Sequence, residues 1–230
     1  MIEIVAVGGM PEIRPGDEIA ALVCERADVR HHDVVVVTQK IVSKAEGRVE
    51  ELTGDDADAR RELVERESVR ILRRRDELII SETRHGFVCA NAGVDLSNMP
   101  PGQAAVLPLD PDRSARRIRD GIRARGGVDT GVIVSDSFGR AWRRGVTDVA
   151  IGCAGIAAIV DLRGTRDAGG RVLEATEVAI ADQLAGAAEL AMGKAGRVPV
   201  AIVRGVDDGW FRESSVRAEI VRPPAEDLFR

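Results

Sequence analysis

Apolar residues in this chain follow two rhythms. Apolar stretches at Ile2–Val7, Val34–Val37, Val106–Leu109, Val132–Val134 and Val198–Val203 read as strands, and the continuous β-branched run Val34–Val37 has the pattern of one buried on both faces. Other stretches repeat apolar residues at helical spacing. The first runs from Asp17 to about Ala27, with Ala20, Val23 and Ala27 on one face. The second spans Asp55–Arg75, where Leu63, Val64, Val69, Ile71 and Leu72 form a stripe among alternating acids and bases. The third is Pro111–Arg125, and the fourth, rich in alanine, runs from Glu177 to about Met192. Asp17 and Thr176 are expected N-caps, while Pro111 and Gly126-Gly127 mark a start and a stop. Leu78–Ile80 and Gly86–Ala90 predict a hairpin around Thr83-Arg84-His85. Val149–Ile151 and Ile156–Leu162 flank a Gly152–Gly155 break, the kind that lets a strand bend close to another backbone. Strands outnumber helices and do not alternate strictly with them, and no GxGxxG follows the first strand, which disfavours a dinucleotide fold. The expected architecture is α+β, with mixed sheets and packed helices in one domain of two subdomains.

Polar residues gather where the expected strands end. Val132–Asp148 is the densest case: three apolar residues break at Ser135-Asp136-Ser137, then come Gly139, Arg140, Trp142, Arg143, Arg144 and Gly145. An acid, a hydroxyl and arginines at a strand end suggest a metal and phosphate site, and three arginines in a loop are costly to bury unpaired. After the first strand, Met10-Pro11-Glu12-Ile13-Arg14-Pro15-Gly16 is a rigid turn, either plain punctuation or a ligand-approach loop. After Val37, Gln39, Lys40 and Lys44 either line a phosphate pocket or form a solvated loop; the GxxxxGK[ST] pattern is missing. Asp95 and Asn98 lie in a small-residue loop closed by Pro100 and Pro101. Asp207-Asp208 follow the last strand. Carboxylate and hydroxyl oxygens suit Mg²⁺ or Mn²⁺ shared with substrate phosphates. Arg73-Arg74-Arg75 would complement a helix dipole, and the arginines of 113–125 would form a solvated face.

Composition removes some classes of function. At 230 residues, 44% hydrophobic and 31% charged, the chain can bury a real core. With 3% aromatic residues and no Tyr it has no stacking platform for single strands, and a net charge of −5 gives no global field to hold a duplex. Nucleic acid is therefore not an expected partner. Cys24, Cys89 and Cys153 are odd in number and widely spaced, as reduced thiols of a cytoplasmic protein would be. No apolar run reaches the roughly 18 residues of a membrane span, and Glu3 interrupts any signal-peptide layout.

The stretches GGMPEIRPGD (8–17), DVVVVTQKIVSKAEGR (33–48), NAGVDLSN (91–98), VIVSDSFGRAWRRGVTDVAIG (132–152), TEVAIADQLAGAAEL (176–190) and VPVAIVRG (198–205) resemble the coenzyme F-420-0:L-glutamate ligases, the gamma-glutamyl ligases of deazaflavin coenzyme biosynthesis. The resemblance implies GTP-dependent addition of L-glutamate to the deazaflavin precursor through an acyl phosphate, with further gamma-glutamyl extension. It implies two divalent metals, Mg²⁺ or Mn²⁺, with K⁺ as an additional candidate, and an intertwined homodimer. Carried over by motif, Met10, Pro11, Glu12, Ile13, Lys44 and Asn98 would contact GTP. Gln39 stands at a nucleotide-contacting position where the family usually has Ser. Asp95 and Asp136 would hold one metal and Ser137 the second, with Asp207 or Asp208 completing the second set. Arg140, Arg143 and Arg144 are expected to face the acidic substrate or phosphates. The flavin-binding nitroreductase-like domain fused to some actinobacterial relatives is not expected. Open alternatives are an amide ligase or phosphotransferase of the same fold with another acceptor, and a non-catalytic phosphate-binding domain.

Overall fold

Valine-rich runs build the centre of the molecule. The computed structural model describes residues 1–52, 56–194 and 196–228. Strand β1 (Glu3–Ala6) leads through the proline turn to helix α1 (Ile19–Arg26) and strand β2 (Val34–Thr38). Asp17 does not cap α1: its carboxylate accepts from the Arg14 N–H at 2.7 Å and tightens the turn, leaving Glu18 at the N-cap. The expected loop after β2 is instead helix α2 (Gln39–Ala45), whose Ile41, Val42 and Ser43 are buried. Strand β3 (Val49–Glu51) follows.

The charged segment divides in two. Helix α3 (Asp56–Glu67) gives way to strand β4 (Ser68–Arg75), correcting the single helix expected over 55–75; Asp55 itself lies outside the described residues. The Ser68 hydroxyl donates to the Val64 carbonyl at 2.6 Å and pairs with the Ser81 hydroxyl at 2.8 Å, competing with another helical turn. Val69, exposed, and Ile71, partly buried, then lie in the strand. Arg73–Arg75 consequently complement no helix dipole, and Arg74 pairs with Glu65 at 2.8 Å. Strand β4 pairs with β5 (Leu78–Thr83), which turns at Arg84-His85 into β6 (Val88–Ala90), the expected hairpin.

Strand β7 (Gln103–Ala105) forms just before the expected Val106–Leu109 and pairs with β3. Helix α4 (Pro111–Gly126) has both predicted ends, with Asp110 capping the Arg113 N–H and Gly127 left-handed at φ 66°. Strands β8 (Gly131–Arg140) and β9 (Arg143–Ala154) form one long hairpin. The expected stop at Ser135 is therefore absent, and the expected Gly152–Gly155 break begins only after Ala154, at left-handed Gly155. Short β10 (Val160–Asp161) and β11 (Glu177–Val178) pair, so helix α5 (Ile180–Met192) starts later than expected, with Ala179 rather than Thr176 at its N-cap. Strand β12 (Val200–Arg204) and a short helix α6 (Val216–Glu219) follow.

A five-stranded sheet in the order β1-β12-β2-β8-β9 is the main frame; β2 and β8 are parallel and the other pairs antiparallel. The expected α+β fold with mixed sheets and packed helices is what forms. Its core includes all four valines of β2 with Ile133, Ile151, Ile202 and Ile122. A second, smaller core joins Leu63, Val64, Ile79, Val94 and Val106. Buried Asp112, in the first turn of α4, accepts from the backbone N–H groups of Cys153 at 2.8 Å and Val216 at 2.9 Å and from Ser215 Oγ at 2.9 Å. One carboxylate thus ties α4, β9 and α6 together.

Close backbone approach at Gly152, anticipated from sequence, has a specific partner. A Cβ there would lie 2.3 Å from the Pro111 carbonyl carbon and 2.6 Å from the Asp112 nitrogen. Backbone atoms cannot swing aside as a flexible side chain can. Gly152→Ala is therefore expected to destabilise the fold by about 3 kcal/mol, read as a lower denaturant midpoint at unchanged m-value. A midpoint within error of the parent would show that α4 and β9 are not held in this contact.

Candidate metal and phosphate site

The parallel register of β2 and β8 sets Thr38 opposite Ser135. Helix α2 therefore begins where β8 runs on into Asp136, and both strands deliver polar residues to the same end of the sheet. The loop carrying Asp95 is pinned by a two-way backbone bridge to Ala105, at 2.8 and 2.9 Å. Lys40 Nζ, from α2, pairs with Asp95 Oδ2 at 2.8 Å and donates to Ser97 Oγ at 2.7 Å, while Asp95 Oδ1 accepts from the Ser97 N–H at 2.7 Å.

Asp136 is half-buried, and among the described residues no cation pairs directly with it. Desolvation pushes its carboxyl up to about 7, and the carboxylates of Asp95 and Asp148 push in the same direction. The Ser137 N–H at 2.8 Å and the Lys40 ammonium oppose this without overcoming it. Cys89 is buried nearby, and desolvation, aided by Asp136, raises its thiol to about 12, so it stays neutral.

Successive side chains on a strand face opposite ways, so Ser137 shares the face of Ser135 rather than that of Asp136. Asp148 lies directly across β9 from Ser137 and is only 3% exposed. Its Oδ1 accepts from Ser137 Oγ at 2.7 Å and its Oδ2 from Ser135 Oγ at 3.1 Å. Lys194 Nζ, just beyond α5, reaches Asp148 Oδ1 at 2.7 Å, Ser137 Oγ at 2.5 Å and Glu189 at 3.2 Å. Burial alone would lower the Lys194 pKa, but its hydrogen bond and charge pairing with Asp148, with help from Glu189, raise it.

The turn expected to meet the nucleotide docks on α2, where the Gly16 N–H donates to the Ala45 carbonyl at 2.8 Å and Lys44 pairs with Glu12. Pro11 and Glu12 are exposed, Met10 packs partly against the core, and Ile13 is buried in it. Asn98 is exposed, in a left-handed turn at φ 53°. Other expected site residues are placed elsewhere. Gln39 is buried, its amide donating to Ser43 Oγ at 2.7 Å and the Val106 carbonyl at 3.2 Å, so its side chain is committed inside the fold. Arg140, Arg143 and Arg144 sit exposed at the hairpin tip, about 13 Å or more of extended strand beyond Asp136. Asp207 emerges at the opposite end of the sheet, because β12 runs antiparallel to β2 with Val203 opposite Val34. There Asp207 caps the Gly209 N–H at 2.8 Å and Asp208 meets His32 at 2.7 Å. Asp148 and Lys194 are the contributors absent from the expected site set, and Lys40, expected beside a phosphate, instead holds Asp95.

Among the described residues no three His, Cys, Asp or Glu side chains converge as a complete metal cage. Asp95 and Asp136 fit one hard cation that takes its remaining oxygens from water or a phosphate ligand. A second cation at Ser137 does not fit, because an ammonium already stands there and Asp207 is far away.

Residues 9–205 match the protein family described as F420-0:Gamma-glutamyl ligase. The chain belongs to this family. Its curated relatives include proteins named coenzyme F420:L-glutamate ligase. The Methanopyrus kandleri protein is 44% identical, covering 95% of this chain and 94% of its own. The Methanothermobacter thermautotrophicus protein is 42% identical over 100% and 99%, and that of Haloarcula marismortui 39% identical over 100% and 96%. The family match takes in Met10 through Lys194 and stops short of Asp207. Among the described residues no helix is long and apolar enough to cross a membrane.

The raised Asp136 carboxyl has a stability consequence with a definite sign. The unfolded chain ionises Asp136 near 3.8, the folded chain near 7. The stabilisation from keeping it protonated is present below the lower value and is lost as pH rises to the higher one. In EDTA, Asp136→Asn is expected to have a higher Tm than the parent at about pH 8, the gap narrowing steadily toward pH 5. A gap independent of pH would mean that Asp136 is not the strained group.

Proposed function

We propose that this chain is a GTP-dependent ligase that joins L-glutamate to the carboxylate of the deazaflavin coenzyme F420 precursor and extends it through gamma-glutamyl links. Membership of the gamma-glutamyl ligase family and the names of its full-length relatives support the acceptor and the amino acid. The observation that carries the chemistry is the Asp95–Asp136 pair beside Lys40, at the sheet end where the Lys44–Glu12 turn docks. Two carboxylates next to an ammonium group, with no direct cation on Asp136 among the described residues, suit the handling of a transferring phosphoryl group.

A carboxylate is a poor electrophile, so the reaction takes two steps. A carboxylate oxygen of the acceptor attacks the γ-phosphorus of GTP, the bond to the β-phosphate bridge oxygen breaks, and GDP leaves with that electron pair. The glutamate amine then attacks the acyl carbon; the C–O bond to phosphate breaks, inorganic phosphate leaves, and the nitrogen sheds a proton as the amide forms. Asp95 and Asp136 would hold one Mg²⁺ or Mn²⁺, which supplies neutralisation of phosphoryl charge when bound. Lys40 orients Asp95 and fixes the 95–98 loop against α2. Lys44 and the 10–13 turn are assigned to the nucleotide phosphates, Lys44 exchanging Glu12 for a phosphate oxygen, and Asn98 to the nucleotide as well.

We also propose a cytoplasmic homodimer. The hairpin tip leaves Trp142 84% and Val146 58% exposed, and α5 leaves Leu190 84% exposed, apolar surface suited to a second copy. The tip arginines lie beyond their own chain's site, so a role on acidic substrate would be exercised on the partner. Trp142→Asp is expected to halve the mass seen by light scattering; a parent that already runs as a monomer would remove the dimer.

The decisive assay is mass spectrometry of the deazaflavin precursor incubated with protein, GTP, glutamate and Mn²⁺. Increments of one or more glutamyl residues, with matching GDP, are expected, and Asp95→Asn should slow their appearance by about 10²-fold or more. No increment from the parent protein would overturn the reading.

A further inference from the structure

The face of the hairpin opposite Asp136 is already neutralised by the protein itself. Asp148 is 3% exposed, and burying a carboxylate is costly without a counter-charge and hydrogen bonds. It has them: Lys194 Nζ at 2.7 Å and the hydroxyls of Ser135 and Ser137. The ammonium is held by three groups at once, since Ser137 Oγ and the Glu189 carboxylate, at 2.5 and 3.2 Å, complete its contacts. An ammonium with three oxygen partners resembles a small cation in a coordination shell, and it occupies the oxygens that a second metal on Ser137 would need.

We propose that the Lys194 ammonium is the resident cation of the Ser135–Ser137–Asp148 face, so that this chain binds one divalent metal, at Asp95 and Asp136, where two would otherwise be expected. The inference rests on the proposed metal role of Asp95 and Asp136. Charge placement distinguishes the two faces: Asp148 is directly paired, while Asp136 has no directly paired cation among the described residues. Lys194 is a positioning residue here, fixing Asp148 and through it both serine hydroxyls, without touching the reacting atoms.

Metal stoichiometry reads this without any turnover. Mn²⁺ alone is titrated into the full chain and free Mn²⁺ is followed by electron paramagnetic resonance. The parent is expected to bind one Mn²⁺ per chain. Lys194→Gln, which exchanges the ammonium for a neutral oxygen donor, is expected to bind two. Lys194→Arg, which keeps the positive charge, is expected to bind one and guards against a variant that fails to fold. Two Mn²⁺ on the parent, or one on both the parent and Lys194→Gln, would overturn the substitution while leaving the Asp95–Asp136 metal intact. No Mn²⁺ on any of the three would overturn that metal site and this inference together. In the absence of metal, Lys194→Gln is expected to melt below the parent, with excess Mn²⁺ restoring the difference; a loss that Mn²⁺ does not restore counts against the shared position.

Discussion

Everything at the candidate site depends on one parallel pairing, β2 with β8. A parallel pair sends both strands out of the sheet at the same end, and the register Thr38↔Ser135 sets their polar continuations side by side. Lys40 and Lys44 then arrive on α2 and Asp136 on β8, from segments almost a hundred residues apart. The antiparallel neighbour β12 delivers its loop to the other end. The same sheet therefore assembles one group of acids and excludes another, whatever their chemical similarity.

That constraint explains what could be read from the sequence. The valine runs of β2 and β8 mark buried strands because no helix of this length would be uniformly β-branched. Helix α4 carries both of its own end signals, Pro111 with Asp110 at one end and Gly127 at the other. Gly152 hinted at a close backbone, and the structure supplies Pro111. What misled was polarity taken as an end of structure. Ser135, Asp136 and Ser137 look like a loop, yet they remain in strand register because β9 supplies a partner for each, with Asp148 facing Ser137. Arg73–Arg75 looked like a helix end because their helical stripe continued from α3, but Ser68 had already turned back on Val64.

The missing members of the site had a common cause. Asp148 and Lys194 are 46 residues apart in the chain, and neither stands in a recognisable spacing with Ser137. Only cross-strand register brings Asp148 in, and only the packing of α5 brings Lys194. Gln39 erred in the other direction: an amide at a strand end suggested a ligand contact, whereas the start of α2 turns it onto Ser43 and Val106. An exposed position would have kept it available, and 1% exposure does not.

The charge balance of the linked groups gives the arrangement its physical logic. Asp95, Asp136, Asp148 and Glu189 contribute four carboxylates, and Lys40 and Lys194 two ammonium groups, a formal sum of −2. One unit of that deficit lies on Asp136, which has no ammonium in contact among the described residues, and the other on Glu189, which shares Lys194 with Asp148; desolvation then drives the Asp136 carboxyl up to about 7. One divalent cation at Asp95 and Asp136 would cancel the formal sum of the group. Two would leave an excess of two positive charges inside a half-buried site unless every ligand phosphate arrived with them. A fixed ammonium on the Asp148 face avoids that dependence: it is present before the nucleotide, cannot dissociate, and keeps the serine hydroxyls oriented whether or not the metal is bound. On the proposed reading it would also confine metal-dependent change to the Asp95–Asp136 face, the side on which Lys40 connects Asp95 to α2.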